Sequence, residues 1–235
     1  MGRLLLALLA LVSMDLSASV HTLTGHTMGS TWSVTVVLDD SGAEHHGEEL
    51  ADLQQLIQSD LDSVEQQFST WRANSDLSIY NQSPVDTWQK LPPDSIWLLK
   101  HAIYYARLSD GAFDPTIGPL VELWGFGASG HRRDLPTAAE IIAAHAQVGW
   151  DRVRINEAES AVWQPGGLHL ELSAVAQGHA SDRIARLLDE RGLQAYLVDI
   201  TGEMRARGKK TAEQSWQVAI EWPDGDDQQD SIAAV

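Results

Sequence analysis

The chain of 235 residues contains no cysteine. Disulfide bonds, thiolate nucleophiles and cysteine-ligated zinc or iron–sulfur sites are therefore excluded. Basic residues are scarce, since 16 Lys and Arg stand against 33 Asp and Glu and give a formal net charge of −17. Without a basic surface we expect no nucleic-acid partner and no attraction to an anionic membrane surface. An anionic ligand would need helix N-termini, backbone amides or a divalent cation.

No apolar run is long enough to cross a bilayer, which takes about 20 residues. The run from Leu4 to Val12 follows Arg3 and precedes the small residues Ser17, Ala18 and Ser19. This order is typical of a signal peptide. We therefore predict a signal peptide at residues 1–19, a mature domain at residues 20–235 and export to the periplasm. A buried N-terminal helix is the alternative.

Periodicity predicts an α+β fold. Apolar residues recur at helical spacing from Leu50 to Phe68, and further helices are predicted from Asp94, from Thr137 with a Thr137–Glu140 capping box, and from Ser173. Strands are predicted at 31–38, 152–156, 161–164, 168–172, 195–200, 203–207 and 216–221. Runs of strands with hairpin-like connections favour the α+β class over a doubly wound sheet.

The segment from Gly111 to Gly127 is the most unusual in the chain. It combines glycines and prolines with Asp114 and the aromatic residues Phe113, Trp124 and Phe126. Proline after Asp114 restricts the backbone that carries this carboxylate. A rigid loop of this kind suits a planar polar ligand. A buried turn whose aromatic residues fill the core is the alternative.

Three shorter segments also carry candidate chemistry. Met28 and Gly29 precede a strand, where a soft side chain and a flexible backbone can approach a ligand. Glu171 lies just before a predicted helix N-terminus, which can receive phosphate, or it is a surface carboxylate. Gly178, inside that helix, costs about 1 kcal/mol relative to Ala and indicates close packing against the backbone. The acidic turn around Thr201 is either a site or a solvated turn.

In order and content these segments resemble the ApbE family, the FAD:protein FMN transferases. The matching stretches are HTMGSTWSV, VEQQFSTWRANSDLSIYNQS, GAFDPTIGPLVELWGFG, LELSAVAQGHASDRIARLL and AYLVDITGEMRARG. They extend from about His26 to Gly208. Together they are more specific than any one of them alone.

The resemblance implies an α+β fold related to the T-fold, with mixed sheets, flanking helices and a C-terminal part that this chain lacks. It implies FAD as the donor and Mg²⁺ as the metal. It also implies transfer of FMN to a Ser or Thr hydroxyl of a membrane redox-complex subunit or periplasmic flavoprotein, with release of AMP.

Several positions can be carried over from the family. The resemblance places FAD contacts at Met28, Trp71, Ala112, Phe113, Asp114, Glu171 and Gln177, and a main-chain Mg²⁺ ligand at Ala174. Glu171 stands where Asp is usual, and Thr201 replaces the first Gly of a Gly-Gly turn.

The family's later His, its Asp-Pro-x-Thr-Gly segment and its metal-binding Asp and Thr have no counterpart here, so no catalytic residue is predicted. A non-catalytic FAD-binding carrier and an inactive fragment are therefore the alternatives.

Overall fold

The computed structural model describes residues 18–39, 46–221 and 231–234. The predicted signal peptide lies outside this part of the chain except for Ala18 and Ser19, which belong to the first strand. The helices are α1 (His46–Phe68), α2 (Asp76–Asn81), α3 (Pro93–Leu108), α4 (Gly118–Leu123), α5 (Ala138–His145) and α6 (Ser173–Glu190). The strands are β1 (Ala18–Thr27), β2 (Ser30–Asp39), β3 (Thr87–Lys90), β4 (Ile155–Asn156), β5 (Ala161–Gln164), β6 (Tyr196–Ile200), β7 (Glu203–Arg207), β8 (Ala219–Glu221) and β9 (Ser231–Ala234).

A four-stranded antiparallel sheet in the order β1-β2-β6-β7 forms the centre of the fold. Every second residue of its middle strands is buried, as a sheet with one covered face requires. Val34 of β2 lies opposite Val198 of β6, and both side chains are fully buried. Helices α1 and α6 contact the sheet and each other.

Helix α1 forms where the apolar periodicity predicts it. Its buried residues are Leu53, Ile57, Leu61, Val64, Gln67 and Phe68. Burying each large apolar side chain contributes about 1.5–3 kcal/mol. The predicted capping box is also present, because the Thr137 side chain accepts from the amide of Glu140 while the Glu140 carboxylate accepts from the amide of Thr137.

Two smaller antiparallel sheets complete the described structure, one in the order β3-β5-β4 and one formed by β8 and β9. The hairpin predicted from residues 152–164 therefore exists, with shorter strands and with β3 added at its side. The strand predicted at 216–221 is reduced to β8.

The predicted strand at 168–172 is wrong. Its backbone is paired by a side chain instead of a neighbouring strand, since Asn81 accepts a hydrogen bond from the Leu170 amide at 2.8 Å and donates one to the Leu170 carbonyl at 3.0 Å. The segment from Gly111 to Gly127 also differs from a plain loop, because α4 begins in it at Gly118–Pro119.

Two hairpin tips lie side by side at one end of the central sheet. Met28 and Gly29 connect β1 to β2 with positive φ angles of 49° and 75°, and Thr201 and Gly202 connect β6 to β7 with 57° and 102°. Positive φ at both central residues is the signature of a tight two-residue hairpin turn. The Thr201 amide donates to the Thr31 carbonyl at 3.2 Å, which joins the two tips.

Candidate functional site

The β1–β2 tip is held by a carboxylate from α1. The Met28 amide donates a hydrogen bond to Glu65 Oε1, and the Thr27 hydroxyl lies 3.5 Å from the same oxygen. The other oxygen of Glu65 lies 3.4 Å from Nη1 of Arg72. Glu65 thus ties the tip that carries Met28 to the turn that follows α1.

That turn presents Trp71 and Arg72 to solvent. The Ser69 hydroxyl accepts hydrogen bonds from the amides of Trp71 and Arg72, both at 3.2 Å. The Ser78 hydroxyl in turn donates to the Ser69 carbonyl at 3.1 Å. Trp71 is nevertheless 65% exposed. A fixed turn with an exposed indole can offer a flat face to a ring system.

The same turn reaches the N-terminus of α6. The Thr70 hydroxyl donates to Glu171 Oε2 at 3.3 Å, while Glu171 Oε1 accepts from the amide of Ser173 at 2.8 Å and from the Ser173 hydroxyl. Glu171 therefore binds the first amide of α6, where a negative charge is favoured by the helix dipole.

The segment that begins at Gly111 also reaches Glu171, because the Glu171 amide donates to the Pro115 carbonyl at 2.8 Å. Asp114 next to it accepts from the amide and hydroxyl of Thr116 at 2.8 and 2.6 Å and from the Trp150 amide at 3.1 Å. Its carboxylate thus fixes the loop backbone.

The aromatic residues of this segment differ in burial. Ala112 is exposed, and Phe113 is partly buried against the core. Trp124 and Phe126 are 44% and 73% exposed, so neither fills the core.

A close approach holds the segment against the chain before α6. A Cβ atom added to Gly118 would lie 2.8 Å from Cγ of His169 and 2.9 Å from its carbonyl oxygen. Burial lowers the pKa of His169 below its usual value, although the carboxylates of Glu122 and Glu171 act in the opposite direction. The imidazole beside the site is therefore disposed to be neutral.

The first turns of α6 carry the remaining predicted residues. Ala174 is exposed, and Gln177 is partly buried. Packing against other parts of the chain does not explain Gly178, because, apart from the adjacent residues and the backbone of α6 itself, no described atom lies within 4 Å of a Cβ placed there. The expected close contact is absent among the described residues, and the space beside the helix at this point is open.

The predicted metal site lacks side-chain ligands in the part of the chain that the structure describes. No group of three or more His, Asp or Glu side chains there could hold a metal ion. Glu171 in particular is engaged by Ser173 and Thr70. The described residues therefore do not fit a complete Mg²⁺ site, and the assignment of Ala174 stays a prediction.

Contacts thus connect Met28, Trp71, Asp114 and Glu171 through residues that the sequence did not single out. We call the charged members of this set, Glu65, Arg72, Asp114 and Glu171, the N-terminal cluster. Glu65 and Thr70 were missed because Glu65 is an ordinary polar residue beside the apolar stripe of α1 and Thr70 is an ordinary polar residue of the turn that follows it. No pattern in the sequence indicates their contacts across the fold.

A second charged set lies further along α6. His179 is buried and its Nε2 lies 2.9 Å from Asp94 Oδ2, while Arg183 donates to both Asp94 and Asp60. Burial alone would raise the pKa of Asp94, but hydrogen bonds from His179 and Arg183 hold it below its usual value. We call these four residues the mid-helix cluster.

Comparison with known proteins places the chain in a family. A sequence model of the ApbE family matches residues 28–235. The chain belongs to the ApbE family. The FAD:protein FMN transferase of Salmonella typhimurium is 34% identical over 222 residues, covering 93% of this chain and 61% of the relative. The enzyme of that name from Haemophilus influenzae is 33% identical over 219 residues, covering 92% and 62%.

Solved structures agree with this assignment. The flavin transferase ApbE of Vibrio cholerae superimposes with a TM-score of 0.80 at 32% identity, covering 88% of this chain and 65% of that protein. The apo flavinyl transferase ApbE of Pseudomonas stutzeri gives 0.77 at 35% identity, covering 87% and 63%. The predicted family and α+β fold are confirmed.

The chain spans about three-fifths of the length of the curated ApbE relatives it matches, 61% and 62% for the first two. In the described residues, none of the helices combines the length and apolar character needed to cross a membrane.

Proposed function

We propose that this protein is an FAD:protein FMN transferase that binds FAD beside the N-terminus of α6. The observation that carries the proposal is the convergence of four separate segments on one place: the Met28 tip, the Trp71 turn, the Asp114 loop and Glu171. The names and similarity of the relatives support the same activity.

In the proposed reaction, a Ser or Thr hydroxyl of the target protein attacks the FMN phosphorus of FAD. A new P–O bond forms, the bond from phosphorus to the bridging pyrophosphate oxygen breaks, and AMP leaves. The hydroxyl proton passes to a base that the described residues do not identify. The proposed dependence on Mg²⁺ rests on the family resemblance.

The residues of the chain have definable roles in this proposal. Trp71 offers an exposed indole on which the isoalloxazine ring can stack. Glu171 and Asp114 fix the backbone at the start of α6 and in the neighbouring loop. The first turns of α6 have an N-terminal dipole that favours phosphate. In the proposal these features orient FAD beside the start of α6.

The test is a flavinylation assay with FAD, Mg²⁺ and an acceptor domain. The chain is compared with a chimaera that adds the part of the Salmonella typhimurium enzyme beyond the matched region. We expect a covalent FMN adduct on the acceptor by mass spectrometry and an equal amount of AMP. If the Salmonella enzyme yields the adduct and neither the chain nor the chimaera does, the proposed activity is wrong.

A non-catalytic FAD-binding carrier is the second candidate. The three hydrogen bonds that Glu171 receives inside the protein favour a binding role over metal ligation. FAD titration with and without Mg²⁺ separates the two. Binding that is indifferent to Mg²⁺ with no AMP released favours the carrier.

We also propose that the protein is exported to the periplasm and acts on a flavoprotein or a membrane redox-complex subunit there. The apolar run from Leu4 to Val12 after Arg3 supports export. Cell fractionation of a tagged protein, with and without residues 1–19, tests this directly. Equal amounts in the cytoplasm for both forms would contradict it.

A further inference from the structure

The N-terminal cluster is short of positive charge for the ligand proposed there. It contains the carboxylates of Glu65, Asp114 and Glu171, while the two phosphates of FAD add negative charge. Like charges in a partly buried site repel one another more strongly than they do in water. Among the described residues, no ion pair joins any Lys or Arg other than Arg72 to these three carboxylates.

Arg72 differs from the other paired arginines in how little of its hydrogen-bonding capacity is used. Arg183, Arg205 and Arg207 each donate hydrogen bonds to carboxylates. In the described structure, the side chain of Arg72 has one charged contact, at 3.4 Å to Glu65, and 46% of that side chain is exposed. Since a guanidinium carries five N–H donors, most of them remain available.

The backbone of Arg72 is nevertheless fixed on both sides. Its amide donates to the Ser69 hydroxyl at 3.2 Å, and its carbonyl accepts from the Ser75 amide at 3.1 Å. Thr70 in the same turn contacts Glu171 at the start of α6. The backbone of Arg72 is therefore held between the Met28 tip and the N-terminus of α6, so that binding a ligand there would not require this turn to be ordered first.

We propose that Arg72 binds a phosphate of FAD. Arg72 thereby supplies the cation that the carboxylates of the N-terminal cluster otherwise lack. The planar guanidinium matches two phosphate oxygens at once, which the ammonium of Lys cannot do. Arg72 would exchange its long contact with Glu65 for shorter charge-assisted hydrogen bonds to the ligand. This inference rests on the proposed FAD-binding function.

The experiment compares the wild-type chain with Arg72→Gln, Arg72→Lys and the control Arg191→Gln. Arg191 is exposed at the far end of α6, about 27 Å from its first residue at 1.5 Å per residue. The control removes the same charge from the chain. Dissociation constants are measured by calorimetry for FAD, ADP and riboflavin, the last of which has no phosphate.

We expect Arg72→Gln to weaken the binding of FAD and of ADP about 10-fold to 100-fold, as the loss of hydrogen bonds to a charged group predicts. Riboflavin affinity should not change. Arg72→Lys should recover part of the loss, and Arg191→Gln should behave as wild type. The decrease in FAD affinity with added salt should also become shallower in Arg72→Gln.

Three results would overturn the inference in different ways. Equal FAD affinity in Arg72→Gln and Arg191→Gln removes the role of Arg72 while FAD binding stands. Equal losses of affinity for FAD and for riboflavin in Arg72→Gln mean that Arg72 acts by holding Trp71 or Met28. The proposal that Arg72 binds a phosphate is then wrong. If the wild-type chain binds neither FAD nor riboflavin, the proposed function fails together with the inference.

Discussion

The two charged clusters beside α6 are built from similar residues but differ in how their charges are paired. The mid-helix cluster sets the carboxylates of Asp60 and Asp94 against Arg183 and His179, and each carboxylate receives hydrogen bonds from a basic partner. The N-terminal cluster sets three carboxylates against Arg72. In the mid-helix cluster each carboxylate is hydrogen-bonded to a basic side chain, whereas the N-terminal cluster has three carboxylates and one arginine.

We expect this difference to separate the stability of the fold from the proposed binding of FAD. The mid-helix cluster joins α1, α3 and α6 and lies against the aromatic rings of Phe68 and Trp97. The N-terminal cluster exposes Trp71 and leaves open space beside Gly178. Substitutions in the mid-helix cluster should therefore lower the free energy of unfolding, and substitutions in the N-terminal cluster should lower the affinity for FAD.

The largest expected effect comes from Arg183→Met. This variant leaves the partly buried carboxylate of Asp60 without its ion-pair partner and leaves Asp94 with His179 alone. Breaking a fully buried pair costs about 3–5 kcal/mol. The side chains here are 19%, 25% and 31% exposed, so we expect the free energy of unfolding to fall by about 2–3 kcal/mol in urea titration.

Arg205→Met is the matched control, because the ion pair of Arg205 with Asp182 is half exposed on both sides. It should cost less than about 1 kcal/mol. Equal losses in the two variants would contradict the view that the mid-helix cluster is a special stabilising feature.

Gly118→Ala should have the next largest effect. The new methyl group would collide with the ring and carbonyl of His169. Overpacking of this kind costs about 1–3 kcal/mol. Displacing His169 also displaces Glu171, so FAD affinity should fall as well. Gly47→Ala, which meets no described atom within 4 Å, is the control; a Gly118→Ala protein as stable as this control would refute the close approach.

Lowering the pH should reduce the contribution of the mid-helix cluster to the free energy of unfolding, by less than the two preceding substitutions do. Because the pKa of Asp94 is lower in the folded protein than in the unfolded chain, its contribution is complete above the unfolded value of about 3.9. It is lost as the pH falls through the lower folded value. The stability difference between wild type and Asp94→Asn, measured by urea unfolding, should therefore shrink from pH 6 to pH 3. A constant difference would show that the charge of Asp94 is not what stabilises the fold.

The smallest expected change is a gain. Gly178→Ala should raise the free energy of unfolding by about 0.5–1 kcal/mol, because Ala restricts the unfolded chain and suits a helix interior. FAD affinity should fall, since residues 174 and 178 share one face of α6. A protein that is more stable and binds FAD unchanged would place the ligand away from this face.

The sequence predicts the elements whose packing is local. Helix α1 follows from its apolar spacing, and β7 forms at Glu203–Arg207 as predicted, next to the Thr201–Gly202 turn. Strand β1 was not predicted, although only its first two residues, Ala18 and Ser19, fall in the predicted signal peptide. The strand predicted at 168–172 failed because Asn81, 89 positions earlier than Leu170, pairs with its backbone.

In the candidate site too, contacts between residues distant in the sequence could not be predicted. The family resemblance predicted a site at Met28, Trp71, Asp114 and Glu171, but not the contacts that connect these residues. The contact between Thr70 and Glu171 spans 101 positions in the chain. Contacts of this kind depend on how helices and sheet pack together, and no spacing in the sequence encodes them.

Titration of FAD into wild type and Trp71→Ala tests the central claim most directly. Because Trp71 is 65% exposed, its removal should leave the fold intact. The account predicts saturable binding of one FAD per chain by wild type and an affinity lower by about tenfold or more in Trp71→Ala, as the loss of aromatic stacking implies. Equal affinities, or no saturable binding by wild type, would contradict an FAD site at the start of α6.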